Sequence, residues 1–274
     1  MKKILFVCDV NNFPKGAFKF IENLKETDQF LLTGAFFHSA NFDIVMPASV
    51  AFAPDPIVAF TDTDVEAVAG SIEKFKQKCE QSGIEYLVHE ESDTFQIEDF
   101  VKETRFADVA VVSEELFFIH IDAEQPNSYL KEVLHRSECP VLVIPENYTS
   151  ITNVAIAYDG KKESMFAVKQ FCYLFPQYTT LPTHVLYWVH KTDDEIPDME
   201  YIEEFASRHF TNLDFKEIFF DQTKYMADWS RKNRNTIVIS GSYKRSGLST
   251  LLEKNFVDDM IKHPSSVIFI AHNC

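Results

Sequence analysis

The segment Thr236-Ile-Val-Ile-Ser240 is followed directly by Gly241-Ser-Tyr-Lys-Arg-Ser-Gly-Leu-Ser-Thr-Leu-Leu-Glu-Lys-Asn255, and this order decides the fold. The first segment is a short apolar run typical of a buried parallel strand. A loop with glycine and serine comes next, and a helical pattern then runs to His263-Pro264. In α/β sheets, a loop at this position directs unpaired backbone N–H groups at a phosphate. The stretch predicts a strand, a candidate anion-binding loop and a helix.

The chain contains two copies of the unit to which this stretch belongs. Segments 4–9 and 154–159 both read as a buried strand that ends in aspartate, at Asp9 and Asp159, and an amphipathic helical pattern follows each. Segments 31–38 and 184–190 both end in histidine. Segments 108–113 and 140–144 match 236–240 and 266–270 in the same way. Apolar strands that alternate with helical periodicity predict parallel βαβ units. We therefore predict an α/β fold with two tandem, doubly wound, parallel five-stranded sheets.

The duplication predicts two domains, at residues 1–146 and 151–274. The first copy carries an insertion at 41–60 that is rich in proline and alanine. A capping box at Thr63 and Glu66 then opens the next predicted helix. The connection at 146–150 is polar and too short for independent domain motion.

The composition argues against several classes of partner. The 274 residues carry a formal net charge of −16 and are 46% hydrophobic. This length fits two ordinary domains, and the apolar content is sufficient for a packed core. An acidic surface repels nucleic acid and anionic lipid, and no apolar run is long enough to span a bilayer. We expect neither a nucleic acid nor a membrane partner.

The spacing of the cysteines predicts the redox state of the cellular compartment. The five residues are scattered, without a C-x-x-C pair, at Cys8, Cys79, Cys139, Cys172 and Cys274. The apolar stretch after Met1 is short and ends in an acid, so it reads as a strand and not as a signal peptide. Reduced thiols without a signal favour the cytoplasm.

These features together resemble the universal stress protein family. The resemblance rests on the strand-then-aspartate segment Tyr158-Asp159-Gly160, on the loop that opens at Gly241, and on similar helix-plus-strand segments at 134–141 and 261–267. It covers nearly the whole chain, with one family domain in each half. It implies a Rossmann-like α/β/α fold whose two halves pair through their last strands as an intramolecular pseudo-dimer. The expected interface residues are Val141, Val143, Val267 and Phe269.

ATP-binding members of that family share the loop pattern G-x-x-G, nine residues, then G-[S/T]. Gly241 matches the first glycine. Lys244, Lys254 and Asn255 stand at the second glycine, the third glycine and the hydroxyl position. Glycine permits a positive φ and a close approach of backbone to phosphate, and lysine permits neither at low cost. The loop therefore predicts the fold more strongly than it predicts ATP binding.

The resemblance implies that an adenine nucleotide such as ATP, where one is bound, lies in the second half. Asp159 would face the adenine, and the backbone near Trp188 and Val189 would contact the base. The loop would hold the phosphates, with lysines as point charges. The full candidate set is Asp159, Gly160, Lys161, Trp188, Val189, Gly241, Ser242, Lys244, Gly247 and Asn255. Alternatively, the lysines are ordinary solvated side chains and Ser242 only caps the following helix.

The first half has a poorer cleft. Its equivalent positions are Asp9, Val10, Asn127 and Ser128, but Glu114 stands where the second half has its leading glycine. Carboxylates that face a phosphate weaken binding by like-charge repulsion. We do not expect ATP in the first half.

The motifs indicate neither a metal nor a catalytic residue. The histidines form no H-x-x-x-H or H-E-x-x-H pattern, and Ser240-Gly241-Ser242 lacks the G-x-S-x-G elbow. The leading hypothesis is a non-enzymatic cytoplasmic stress-response protein that sequesters a small ligand or contacts other, unidentified proteins. One alternative is an adenine-nucleotide-binding sensor or slow ATPase that uses the second half. Another is a pocket adapted to a different small molecule. The chain is expected to be a monomer with an internal pseudo-two-fold axis or a homodimer.

Overall fold

In the part of the chain that the structure describes, ten strands form one continuous sheet. The computed structural model describes residues 1–10, 12–37, 62–89, 97–114, 134–189, 195–219, 235–241 and 266–272. The first half contains β1 (Lys2–Asp9), α1 (Lys15–Lys25), β2 (Phe30–Phe37), α2 (Asp62–Gln81), β3 (Tyr86–His89), α3 (Ile97–Arg105), β4 (Val109–Ser113) and β5 (Val141–Ile144). The second half contains β6 (Asn153–Tyr158), α4 (Lys162–Leu174), a 3-10 turn (Pro176–Tyr178), β7 (Pro182–Val189), α5 (Met199–His209), β8 (Asn212–Phe219), β9 (Thr236–Ser240) and β10 (Val267–Ile270).

The strand order describes two doubly wound halves joined edge to edge. The strands lie in the order β3-β2-β1-β4-β5-β10-β9-β6-β7-β8. Neighbouring strands within each half run parallel, and β5 pairs with β10 antiparallel. The predicted α/β fold with a large, mostly parallel sheet is confirmed. The insertion predicted at 41–60 lies outside the described residues, and the domain boundaries at 146 and 151 stay predictions.

The pairing of β5 with β10, called the seam below, is apolar on both strands. The register sets Val143 opposite Ile268, Leu142 opposite Phe269 and Val141 opposite Ile270. Every residue of the two strands is buried. Val267 opens β10 and pairs with Ile237 of β9. The seam satisfies backbone groups that two separate sheets would expose along their edges.

Helices cover the sheet because their apolar residues recur three or four positions apart, along one side of each helix. In the sequence, the spacing of Ala17, Phe18, Ile21 and Leu24 predicts one apolar face of a helix, and all four residues are buried in α1. Residues of α1, α2, α4 and α5 belong to one hydrophobic cluster, whereas Phe100 of α3 packs in a second cluster with Leu134 and Cys139.

A second set of contacts joins the two halves beside the seam. The ring centre of Phe175 lies 6.5 Å from that of Phe20 in α1 and 6.0 Å from that of Phe269 in β10. The Lys2 ammonium contacts the carbonyl of Leu174 and the carboxylate of Asp28. It also lies 5.0 Å from the centre of the Phe175 ring. Strand β1 is therefore tied to the end of α4.

The connection between the halves is docked along its length. The Tyr148 ring is buried, with its centre 5.7 Å from that of Phe20. Asn23 Nδ2 donates to the Thr149 carbonyl at 2.9 Å. The Thr149 hydroxyl donates to Asn235 Oδ1, just before β9, at 3.1 Å. The linker is thus bonded to both halves.

We expect Phe269→Ala to lower the free energy of unfolding by about 3–5 kcal/mol, because a fully buried ring is removed from between Phe171 and Phe175. Val143→Asp should be at least as damaging, since it buries an unpaired charge at the seam. Urea denaturation followed by circular dichroism measures both. Tyr173→Ala, at a position on α4 that is 71% exposed, is the control. Seam variants as stable as the control would contradict this packing.

Candidate functional site

A cavity of about 420 Å³ lies at the carboxyl end of β6. Strand β6 stands between β9 and β7, where the strand order of the second half reverses. Doubly wound sheets bind ligands at this position. The lining comes from the end of β6 and its loop (Tyr158, Gly160, Lys161), from α4 (Lys162, Met165) and from the start of α5 (Asp198, Tyr201, Ile202).

The interior of the cavity is mostly apolar. Tyr158 and Ile202 are only 2% and 1% exposed, and Met165 is half-buried. Tyr201 is 74% exposed and presents its ring at the mouth. The site can therefore surround an apolar group and still leave one side of it open to solvent.

Charged side chains at the mouth are engaged in ion pairs. Lys161 Nζ lies 3.2 Å from Asp159 Oδ2, and Lys162 Nζ lies 3.6 Å from Glu163 Oε1. Pairs this exposed contribute only about 0–1 kcal/mol to stability, so a ligand can replace either partner at little cost.

The loop after β6 is held in one conformation. Asp159 Oδ1 accepts a hydrogen bond from the Lys161 backbone N–H at 3.0 Å. Gly160 has φ +75°, and a Cβ built there would lie 2.7 Å from Pro197 Cβ. Both the backbone conformation and the contact with Pro197 require glycine at this position.

Tyr158 joins the two sides of the cavity. Its hydroxyl donates to the Pro197 carbonyl at 3.0 Å. Burial raises the pKa of Tyr158, and the carboxylates of Asp198 and Asp159 raise it further. The phenol therefore stays protonated and keeps this bond. Asp198, at the N-cap of α5, has a left-handed φ of 51° and makes no side-chain capping bond.

Gly241 of the sequence motif packs against a helix. It is buried, and a Cβ built there would lie 2.7 Å from both the Glu163 carbonyl carbon and the Ser164 nitrogen, in the first turn of α4. These are backbone atoms, which cannot move aside as a side chain can. Packing against α4 therefore requires glycine at position 241, independently of the phosphate role that the family resemblance implies.

The remaining candidates are distributed as follows. Gly160 and Lys161 line the cavity, and Asp159 lies beside it. Trp188 and Val189 end β7, where they pair with Ile218 and Phe219 of β8. Ser242, Lys244, Gly247 and Asn255 lie outside the described residues, as do the strand-end histidines His38 and His190.

The equivalent loop of the first half carries a buried aromatic ring. Residues 10–14 connect β1 to α1, whereas only residues 159–161 connect β6 to α4. The longer loop buries Phe13, whose ring centre lies 6.3 Å from that of Phe6 and 5.6 Å from that of Phe18. The Lys74 ammonium lies 4.9 Å from the Phe13 ring centre.

Of the other residues that were predicted for the first-half cleft, two lie in the described part of the chain. Val10 is buried, and Asp9 is the last residue of β1. Asn127 and Ser128 lie outside the described residues.

Sequence reasoning did not assign Tyr158, Lys162, Met165, Asp198, Tyr201 and Ile202 to a site. These residues come from three elements that meet only in the folded chain, and no motif links them. Met165 and Ile202 were visible only as apolar helix positions. The short loop after Asp159 was the available signal, since it leaves space where the first half places Phe13.

In the described part of the chain, no group of three or more His, Cys, Asp or Glu side chains is placed to hold a metal ion. Burial raises the pKa of Cys79 and of Cys172 to about 12, so neither is a thiolate at neutral pH. Among the described helices, none is both long and apolar enough to cross a membrane.

Solved structures resemble the chain over nearly its whole length. A universal stress protein from Archaeoglobus fulgidus DSM 4304 superposes with a TM-score of 0.67 at 14% identity, over 98% of this chain and 96% of that one. The chain has the universal stress protein fold. A protein from Pseudomonas aeruginosa UCBPP-PA14 that is provisionally named a universal stress protein gives a TM-score of 0.57 at 13% identity, over 99% of this chain and 93% of that one. A protein of unknown function from Pseudomonas aeruginosa PAO1 gives a TM-score of 0.57 at 13% identity, over 99% of this chain and 92% of that one.

Similarity is limited to the fold. No protein-family model matches the sequence, and no curated protein matches it. The coverage shows that both halves take part in the universal stress protein fold, since the match extends over almost all of each chain.

We expect Gly160→Ala to destabilise the protein by about 1–2 kcal/mol, because an L-residue is strained at positive φ and its methyl group meets Pro197. Gly70→Ala in α2 is the matched control, since a Cβ there meets no atom within 4 Å. Alanine should stabilise that helix by about 0.5–1 kcal/mol. Thermal and urea denaturation measure both, and equal stability of the two variants would refute the account of the loop.

Proposed function

We propose that the chain is a non-enzymatic, cytoplasmic stress-response protein that sequesters one small ligand in the cavity of its second half. The observation that carries the proposal is the cavity beside Tyr158, at the strand ends where doubly wound sheets bind ligands. The universal stress protein fold supports the stress-response assignment.

The difference between the halves supports a single site. Phe18 and Met165 are the fourth residues of α1 and α4, respectively. Phe18 packs against the Phe13 ring, whereas Met165 faces the open cavity. A ligand in the second half would occupy a place equivalent to the one that Phe13 fills in the first.

The lining favours a ligand with an apolar body and a polar end. Tyr158, Met165 and Ile202 would surround the body, and methionine adapts readily to irregular shapes. The polar end would lie at the mouth, where it would exchange with the partners of Lys161 and Lys162. The described residues that line the cavity include no Ser, Thr, Cys or His side chain, and no described cluster is placed to hold a metal ion, which favours sequestration over catalysis.

We expect Met165→Trp to fill the cavity and lower ligand retention at least tenfold. Native mass spectrometry of protein taken through gentle purification detects the retained small molecule without assuming its identity. Tyr173→Trp places the same ring on the exposed side of the same helix and should retain ligand like the parent protein. If the parent and Met165→Trp carry equal amounts, or if none of the proteins carries a ligand, the proposal fails.

Adenine nucleotide is the second candidate ligand, and Asp159 is the observation that favours it. The carboxylate follows β6, is fixed by the Lys161 backbone, and lies beside the cavity. On this hypothesis the second half is a nucleotide sensor or a slow ATPase.

We expect Asp159→Ala to weaken ATP binding at least tenfold if this second hypothesis is right. Isothermal calorimetry with ATP, ADP and AMP measures affinity, and phosphate release measures hydrolysis. Glu66→Ala removes an exposed carboxylate of the first half and serves as the control. Absence of heat with all three nucleotides at millimolar concentration would remove this candidate and leave the sequestration proposal intact.

A further inference from the structure

The N-terminus of α1 lacks a local cap. Pro14 occupies the N-cap position and makes no side-chain capping bond, and the first turn contains no acidic residue. The first backbone N–H groups of a helix have no partner within the helix, and they carry partial positive charge. Such a helix start needs an acceptor from elsewhere in the molecule.

A glutamate from the end of the first half supplies that acceptor. Gly16, the second residue of α1, donates its backbone N–H to Glu146 Oε2 at 3.1 Å. The approach is close, because a Cβ on Gly16 would lie 2.2 Å from the Pro145 carbonyl oxygen and 2.7 Å from Glu146 Cα. Glycine at position 16 therefore lets the segment after β5 lie directly on the helix start.

A second carboxylate fixes the first. The backbone N–H of Glu146 donates to Glu114 Oε1 at 3.1 Å, and Glu114 is buried at the end of β4. Glu114 is the residue that follows Ser113, just as Gly241 follows Ser240 in the second half. The acid that replaces the leading glycine of the family loop is thus used to position Glu146.

The start of the equivalent helix in the second half has different neighbours. Helix α4 has Glu163 in its first turn, and Gly241 packs against that turn. In the first half the glycine, Gly16, is part of the helix, and the acids Glu114 and Glu146 follow strands β4 and β5. The positions of glycine and acid are thus exchanged between the halves.

We propose that Glu146, positioned by Glu114, is a built-in anion that caps α1 and holds the segment after β5 on the helix start. Tyr148 and Thr149, which hold the linker on α1 through Phe20 and Asn23, keep Glu146 in place. Anionic groups from solution are excluded because a carboxylate of the chain already occupies the helix start. The proposal does not depend on any ligand in the second half.

Amide hydrogen exchange at Gly16, measured by NMR on the full chain without ligand, tests the proposal. Because Gly16 N–H has no helical acceptor, loss of Glu146 should expose it. We expect Glu146→Ala to speed its exchange about fivefold, the effect of losing a typical helix cap. Glu146→Gln keeps an oxygen acceptor and should retain most of the protection.

Rescue by an added anion separates a capping carboxylate from a merely structural side chain. Sodium acetate should restore slow Gly16 exchange in Glu146→Ala and leave the parent unchanged, with sodium chloride as the ionic-strength control. Glu26→Ala, which removes an exposed carboxylate at the other end of α1, should leave Gly16 unaffected. An unchanged rate in Glu146→Ala, or a faster rate that acetate does not slow, would overturn the proposal.

Discussion

The antiparallel pairing of β5 with β10 is the constraint on which the rest of the structure depends. Both strands are apolar and buried, so neither could remain as a free sheet edge without exposing hydrogen-bonding groups on a hydrophobic surface. Because this pairing is antiparallel and every other described pairing is parallel, the strands of the two halves point in opposite directions, and their carboxyl ends lie at opposite ends of the sheet. The candidate clefts of the two halves therefore lie at opposite ends of the sheet, and the two clefts can diverge independently.

The halves have diverged through a small number of local changes. The loop after the first strand is longer in the first half and brings in Phe13, whereas the short loop after β6 leaves room beside Met165. After the fourth strand, the first half has a buried glutamate and the second half has Gly241. One scaffold thus carries a filled cleft and an open one.

The fold was predictable because strand burial and helix amphipathicity leave direct marks in the sequence. The α1 positions 17, 18, 21 and 24 were assigned to the core from their spacing alone, and all four are buried. The site was only partly predictable. Gly160 and Lys161 follow a recognisable strand end, but Asp198, Tyr201 and Ile202 reach the cavity from a helix some forty residues later, through packing that no local pattern encodes. The hydrogen bond from Gly16 to Glu146, 130 residues apart, was equally out of reach of a sequence pattern.

The seam also has a consequence for how the protein is made. Strand β10 is separated from β5 by the whole of β6 to β9, so a ribosome completes the first half long before its partner strand exists. During that interval the nascent chain displays an apolar strand edge of the kind that promotes aggregation. Closing this edge is a late, long-range step, and such steps are slow in folding. In a newly synthesised chain, the β5 edge therefore stays unpaired until the last strand is in place.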